Sequence, residues 1–239
     1  MEPFGPLLIV PVVLAVAYLI AAAAGKSRGA AWLSAARAVG LTAVERLETL
    51  GIPSKLTGRS GPLEVTLERY QRGKYESGTR ISIAGMGHGV AGLALRREGL
   101  ATAFEKVVGE REIELGDAAF DAELYVQGSA PLARALLDAE TRRLLVRLLR
   151  GTVQLASGSV SARVSLAGGV LRADLKRSPF STSGERMPEV LAALLAVARR
   201  LVAPADLGRR IAENLAAEPE PGVRLQHLLM LQRGFADAP

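Results

Sequence analysis

The chain has 239 residues, a formal net charge of +6 from 30 basic and 24 acidic side chains, 49% hydrophobic residues, 4% aromatic residues and no cysteine. The lack of cysteine excludes a disulfide framework, thiolate-bound zinc, an iron–sulfur cluster and a cysteine nucleophile. The apolar share is ample for a core, which places the bulk of the chain among folded domains rather than disordered segments.

Apolar residues concentrate at the start. Pro6 to Ala24 reads PLLIVPVVLAVAYLIAAAA, nineteen residues without a charge, and at 1.5 Å per residue such a helix nearly spans a hydrocarbon core of about 30 Å. Pro6 and Pro11 fall in its first turns, where a missing N–H is tolerated. The pattern predicts a transmembrane helix from Phe4 to Gly25, with the lipid bilayer as the partner of residues 4–25. Before it stand Glu2 and no cation; after it come Lys26, Arg28 and Arg37. The positive-inside rule therefore predicts a single-pass inner-membrane protein with its N-terminus outside, its C-terminal domain in the cytoplasm and those three cations against anionic lipid. The alternative is a cleaved signal peptide, with an h-region from Leu7 to Ile20 and small residues Ala21 to Ala24 at the cleavage site. That would make the product secreted or periplasmic.

Residues 29–39 continue in helical period, with Trp32 as an interfacial anchor or a first core residue. Thr42 to Leu50 reads as a short helix between Gly40 and the Gly51-Ile52-Pro53 turn. Alternation then takes over. Leu63, Val65 and Leu67 share one face, and Arg80–Ala84 and Gly92–Arg96 repeat the pattern, which predicts a three-strand antiparallel meander. Ala101 to Val108 reads as a short helix and Glu123 to Gln127 as a fourth strand. Pro131 opens a helical region that continues through Ala139–Arg150, where Leu144, Leu145, Leu148 and Leu149 form a stripe closed by Gly151. A second meander, Thr152–Ala156, Val160–Leu166 and Val170–Lys176, has Gly168-Gly169 between its last two strands. Pro188–Val202, Pro204–Ala217 and Gly222–Arg233 read as helices. The order predicts an α+β fold, with an N-terminal transmembrane helix, an antiparallel sheet of about six or seven strands covered by helices, and a helical C-terminus. The corresponding boundaries are 1–28 for the anchor, 29–184 for the α+β domain and 185–239 for the C-terminal helical segment.

Candidate chemistry is sparse. Gly87, Gly89 and Gly92 match the G-x-G-x-x-G pattern, which holds a pyrophosphate only where a helix begins at the glycines. An alternating strand follows instead, so the string reads as a glycine-rich loop; a phosphate cradle is the alternative, making the protein a nucleotide- or phosphate-binding enzyme through residues 85–92. Asp117 and Asp121 would put two carboxylates on one side of a helical turn, as a hydrolytic pair or a divalent cation requires. Phe120 and the strand after it favour a turn in which Asp117 caps backbone N–H groups. Phe120, of the same parity as Leu124 and Val126, then fills the core. His88 and His227 have no acid at ligand spacing and read as a loop residue and a helix-surface residue. No G-x-S-x-G occurs, and no predicted strand carries two aromatics on one face as a nucleic-acid stacking platform would. No cofactor is implied. The sequence therefore reads as a membrane-anchored, cytoplasm-facing binding or scaffold protein without catalytic activity, with a protein partner.

The tract Gly116-Asp117-Ala-Ala-Phe120-Asp121-Ala-Glu-Leu-Tyr-Val-Gln-Gly128, followed by an Ala/Leu helix and Thr141-Arg142-Arg143-Leu144-Leu145, resembles a group of uncharacterised bacterial single-pass membrane-anchored proteins. Members combine one N-terminal helix, a Gly-Asp-x-x-Phe-Asp turn entering a strand and, in several cases, C-terminal HEAT-like helices. The resemblance implies architecture and supplies no catalytic residues; Gly116, Asp117, Phe120 and Asp121 are its structural signature. Residues 211–229 are similar to a HEAT helix pair joined at a Pro-rich turn ending in Val223-Arg224, with Glu218 where Asp is commoner. Stacked repeats need about three units to bury a continuous core. A single pair is therefore expected either to pack on the α+β domain or to lack the array that relatives possess.

Overall fold

The computed structural model describes residues 26–27, 29–49, 52–72, 76–97, 112–150, 162–176, 187–202 and 206–232. The expected transmembrane run, the Ala101–Val108 helix, the Thr152–Ala156 strand and Gly151 lie outside the described residues. No described helix is long and apolar enough to cross a membrane.

The fold is α+β. Among the described residues eight strands form one antiparallel sheet in the order β1-β2-β3-β4-β8-β7-β5-β6. They are β1 Thr42–Thr49, β2 Ile52–Ser60, β3 Leu63–Arg72, β4 Glu76–Ala84, β5 Leu93–Arg97, β6 Leu124–Gly128, β7 Ala162–Ala167 and β8 Val170–Lys176. The helices are α1 (residues 29–38), α2 Ala118–Asp121, α3 Ala130–Leu136, α4 Ala139–Arg150, α5 Met187–Arg200, α6 Leu207–Ala217 and α7 Pro221–Gln232.

Alternation sets which face is covered. Leu63, Val65, Leu67, Ile81, Ile83, Leu171 and Ala173 are buried on one face. There α1 sits over β4, with Trp32 Nε1 donating to Thr79 Oγ1 at 3.3 Å. α4 packs on β7, and α5 packs on α4, β4 and β8. Trp32 is thus a core residue, fully buried. The other face carries charge in register: Lys55 stands opposite Glu68, Glu68 opposite Arg80, Arg80 opposite Asp174 and Asp174 opposite Arg163. In this row of alternating sign across β2, β3, β4, β8 and β7, Arg80 Nε donates to Asp174 at 2.7 Å. Opposite-charge neighbours across strands contribute roughly 0.2–1 kcal/mol each. A slip by one residue would instead drive this row into the core.

Several expectations are corrected by this topology. Residues 42–49 form the edge strand β1 rather than a helix, because β2 offers a pairing edge directly after the turn. Among the described residues the sheet has eight strands, more than the sequence pattern indicates. The first three alternating segments do not make a meander: β3 and β4 pair, but β8 and β7 lie between β4 and β5. Local periodicity carries no information about such an insertion. The second hairpin is as expected, with Ala167 opposite Val170. Gly168 and Gly169 both take positive φ, 57° and 72°, the requirement of a two-residue type I′ turn.

Phe120 is fully buried, but it reaches the core from the short helix α2, not from an extended run shared with Leu124. Phe120→Ala in the full-length chain is expected to cost about 3–5 kcal/mol by the cavity it leaves. Asp121→Asn keeps one acceptor oxygen and is expected to cost less, about 1–3 kcal/mol. Urea denaturation checks both; a wild-type midpoint for the alanine variant would remove Phe120 from the core.

Candidate functional site

The polar groups of the signature turn are engaged in structure. Asp117 is the N-cap of α2, its Oδ1 accepting from Phe120 N at 3.2 Å. Asp121 accepts from Leu115 N at 3.2 Å and from Gly116 N at 2.9 Å. Burial nevertheless raises the Asp121 carboxyl above its ordinary value, against those two backbone bonds. Gly116 has φ +88°, and a Cβ on Gly222 would stand 2.7 Å from its carbonyl oxygen. Backbone therefore meets backbone where the turn touches the start of α7.

The second oxygen of Asp117 points to the centre of the site. Arg142, on α4, donates through Nε to Asp117 Oδ2 at 2.8 Å and through Nη1 to Leu137 O at 2.8 Å. It also forks onto Glu218, with Nη2 to Oε1 at 2.6 Å and Nη1 to Oε2 at 3.1 Å. The Arg142 and Glu218 side chains are each 1% exposed. Burial opposes the guanidinium charge, but the Glu218 and Asp117 bonds outweigh it and hold its pKa above the ordinary value. Glu218 Oε1 also accepts from Glu220 N at 3.2 Å, which fixes the turn between α6 and α7. One cation thus ties the signature turn, α4 and the C-terminal helix pair together.

A second polar group lies beneath the same helix pair. Asn214 Nδ2 donates to the carbonyls of Arg134 and Ala135 at 2.9 and 3.0 Å, satisfying the open end of α3. Arg134 Nη2 reaches Glu114 O and Gln226 Oε1, each at 3.2 Å. Its Nε and Nη1, and both ring nitrogens of His227, have no hydrogen-bond partner among the described residues. Burial pushes the Arg134 guanidinium down, with Asp121 opposing. Burial also pushes the His227 imidazole down, and the charge of Arg134 adds to the effect. His227 is 1% exposed, a correction to the helix-surface reading.

Beside this network a cleft of about 800 Å³ opens between α4, α5 and α6. Its charges compensate one another. Asp138 caps α4 through Thr141 N at 2.8 Å, and its other oxygen accepts from Arg200 at 2.9 Å and Arg210 at 3.3 Å. Arg143 pairs with Glu140 at 2.6 Å. Among the described residues that line it, the cleft presents no nucleophile beside a base.

The structure keeps the glycine loop and the Asp117–Asp121 pair apart. Gly87, Gly89 and Gly92 belong to a loop and a 3-10 turn, His88–Gly92, that feeds strand β5 and starts no α-helix. Leu93 pairs with Gly128 at one end of β6, whereas Asp121 precedes Leu124 at the other. A strand of that length separates them by roughly 13 Å. Among the described residues no group of three or more His, Asp or Glu could hold a metal ion. Asp117 lines the cleft, but none of the three glycines does.

The sequence reading names Arg142, Glu218 and His227 without placing them in a buried polar network, and does not single out Asn214 or Arg134. A signal was present in helical spacing: Arg142 stands three before Leu145 on the buried stripe of α4, Asn214 three after Ile211 and His227 four after Val223. In comparisons with family models, curated proteins and solved structures, nothing matches the chain.

Two outcomes test this arrangement. Arg142→Met or Glu218→Leu alone strands buried charge and is expected to cost about 3–5 kcal/mol, with the double variant costing clearly less than the sum; urea denaturation of all three decides it. His227 titrates near its ordinary value in the unfolded chain but lower in the fold. Below about pH 6.5 the unfolded state therefore takes up a proton that the native state refuses. Stability should fall as pH drops through that value, by at most about 1.4 kcal/mol per pH unit, and His227→Gln should flatten this part of the pH profile.

Proposed function

We propose that the protein is a membrane-anchored, cytoplasm-facing scaffold without catalytic activity, in which residues 4–25 cross the inner membrane and the α+β domain with its HEAT-like helix pair meets a protein partner. The observation that carries the non-catalytic part is the engagement of Asp117 and Asp121. Their four carboxylate oxygens accept from three backbone N–H groups and from Arg142. Each oxygen of the pair is thereby committed to one structural bond, which supports a structural use of the two carboxylates over a catalytic one.

The partner surface in this reading is α7. Leu225 and Leu228, one turn apart, are 55% and 46% exposed, on the outer side of a helix whose inner side is fixed by Val223 and His227. In stacked helical repeats the next unit covers such a side. The phosphate-cradle alternative through residues 85–92 is less well supported, because β5 follows the glycines where a helix N-terminus would be needed.

Localisation separates this reading from a secreted product. The full-length protein is expected to stay with membranes through alkaline carbonate washing, and a reporter fused after Pro239 to be active only as a cytoplasmic reporter. Neutralising Lys26, Arg28 and Arg37 should weaken the orientation preference. A mature chain recovered from the periplasm and beginning near Gly25 would overturn the anchor.

A further inference from the structure

Strand β1 is an edge of the sheet: it pairs with β2 and has no strand on its other side among the described residues. All eight of its residues are exposed. Leu47, at 62%, is the most exposed large hydrophobic side chain among the described residues. Such an edge offers backbone N–H and C=O groups to a further strand.

The register with β2 shows which part of the edge is regular. Between Thr42 and Glu45 two residues of β1 face one of β2, and Ala43 there has φ 49°. The second irregularity falls on β2 instead, where Ser54 is the extra residue between Pro53 and Lys55. Residues 45–49 of β1 are therefore uninterrupted, close to the commonest strand length, and Leu47 is their midpoint. Leu47 O accepts from Ser54 Oγ at 3.2 Å, so its backbone groups turn toward β2. Alternation turns those of Arg46 and Glu48 outward. Leu47 stands opposite Lys55 on the charged face of the sheet, and Arg46 opposite Leu56 on the helix-covered face. The Arg46 side chain is paired with Glu48 of the same strand.

Charges on an edge strand ordinarily discourage pairing. Here a cation and an anion flank Leu47 symmetrically, and that changes the outcome for one particular partner. Antiparallel pairing of this stretch with a second copy of itself, centred on Leu47, sets Leu47 against Leu47 and each Arg46 opposite Glu48 of the other copy. Apolar and opposite-charge neighbours directly across strands are both favourable. Symmetric registers shifted by one residue would set Arg46 against Arg46 or Glu48 against Glu48, which is unfavourable.

We propose that β1 is a homodimer interface, in which two copies of the chain pair antiparallel through residues 45–49 about a twofold axis at Leu47. This goes beyond the membrane-anchor reading and does not depend on it. The axis stands normal to the sheet, so the contact is isologous and the helix-covered faces of both copies lie on the same side. Around the axis the two Arg46 and two Glu48 side chains alternate in sign. The contact is small beside a standard interface of roughly 1,600 Å², so the dimer is weak and depends on concentration.

The chain has no cysteine, so Leu47→Cys, Glu45→Cys and Thr49→Cys each introduce a single thiol into the full-length protein. In the proposed register residue 47 meets itself in a non-hydrogen-bonded pair with Cα atoms about 4.5 Å apart, within disulfide reach. Two copies of residue 45, or of residue 49, stand roughly 13 Å apart. Under mild oxidation Leu47→Cys should form a disulfide-linked dimer many times faster than either other variant alone, and Glu45→Cys mixed with Thr49→Cys should link the two. Adding Arg46→Glu or Glu48→Arg to Leu47→Cys should slow self-linking, and mixing these two double variants should restore it. No linking by Leu47→Cys, equal rates for all three single variants, or no restoration in the mixture would overturn the interface. A chain that stays monomeric, and whose β1 amides slow in hydrogen exchange only on addition of an alternating Thr-Val peptide, would give the edge to an extended segment of another protein and overturn the homodimer.

Discussion

A buried guanidinium organises the C-terminal half of this protein. Arg142 is removed from water, and an isolated charge in that position would be strongly unfavourable. It persists because Glu218, Asp117 and the Leu137 carbonyl offer it four acceptor contacts, two of them in the fork geometry that suits arginine and carboxylate. Each acceptor belongs to a different part of the chain, so the bonds form together only when the signature turn, α4 and the α6–α7 turn are all in place. Asp138 repeats the arrangement with the sign reversed, one carboxylate joining the start of α4 to Arg200 of α5 and Arg210 of α6.

This constraint ties the α6–α7 helix pair to the rest of the fold. Ile211 and Val223 are buried, while Asn214 closes the end of α3 and Glu218 holds Arg142. α6 packs against α3 of the α+β domain. The site that results is a joint. Its polar groups are arranged to hold elements together, and its unsatisfied atoms, on Arg134 and His227, lie within that joint rather than in a substrate cleft.

What was legible in the sequence followed the range of the interactions involved. Alternation gave β3, β4, β7 and β8, and the Gly168-Gly169 hairpin, because these depend on neighbours a few residues apart. Asp117 as a cap and Phe120 as a core residue were legible for the same reason. Insertion of β8 and β7 between β4 and β5 was not, because it is set by contacts between segments nearly a hundred residues apart in the chain, Arg80 with Asp174 for example. β1 was read as a helix because its exposed edge position leaves TAVERLET without an alternating burial pattern. His227 reads as a helix-surface residue because an imidazole at an isolated position carries no sign of burial, and nothing local marks Arg142 as buried, although the helical spacing of both puts them on buried stripes.

The central claim is that the helix pair and the sheet unfold as one unit through Arg142. Native-state hydrogen exchange of the full-length chain measures this directly, by comparing opening free energies in α6 and α7 with those in β4 and β8. The account predicts equal values in the wild type and, in Glu218→Ala, a drop confined first to the helix pair. Helix amides that exchange by their own low-energy opening in the wild type, with no response to Glu218→Ala, would contradict it.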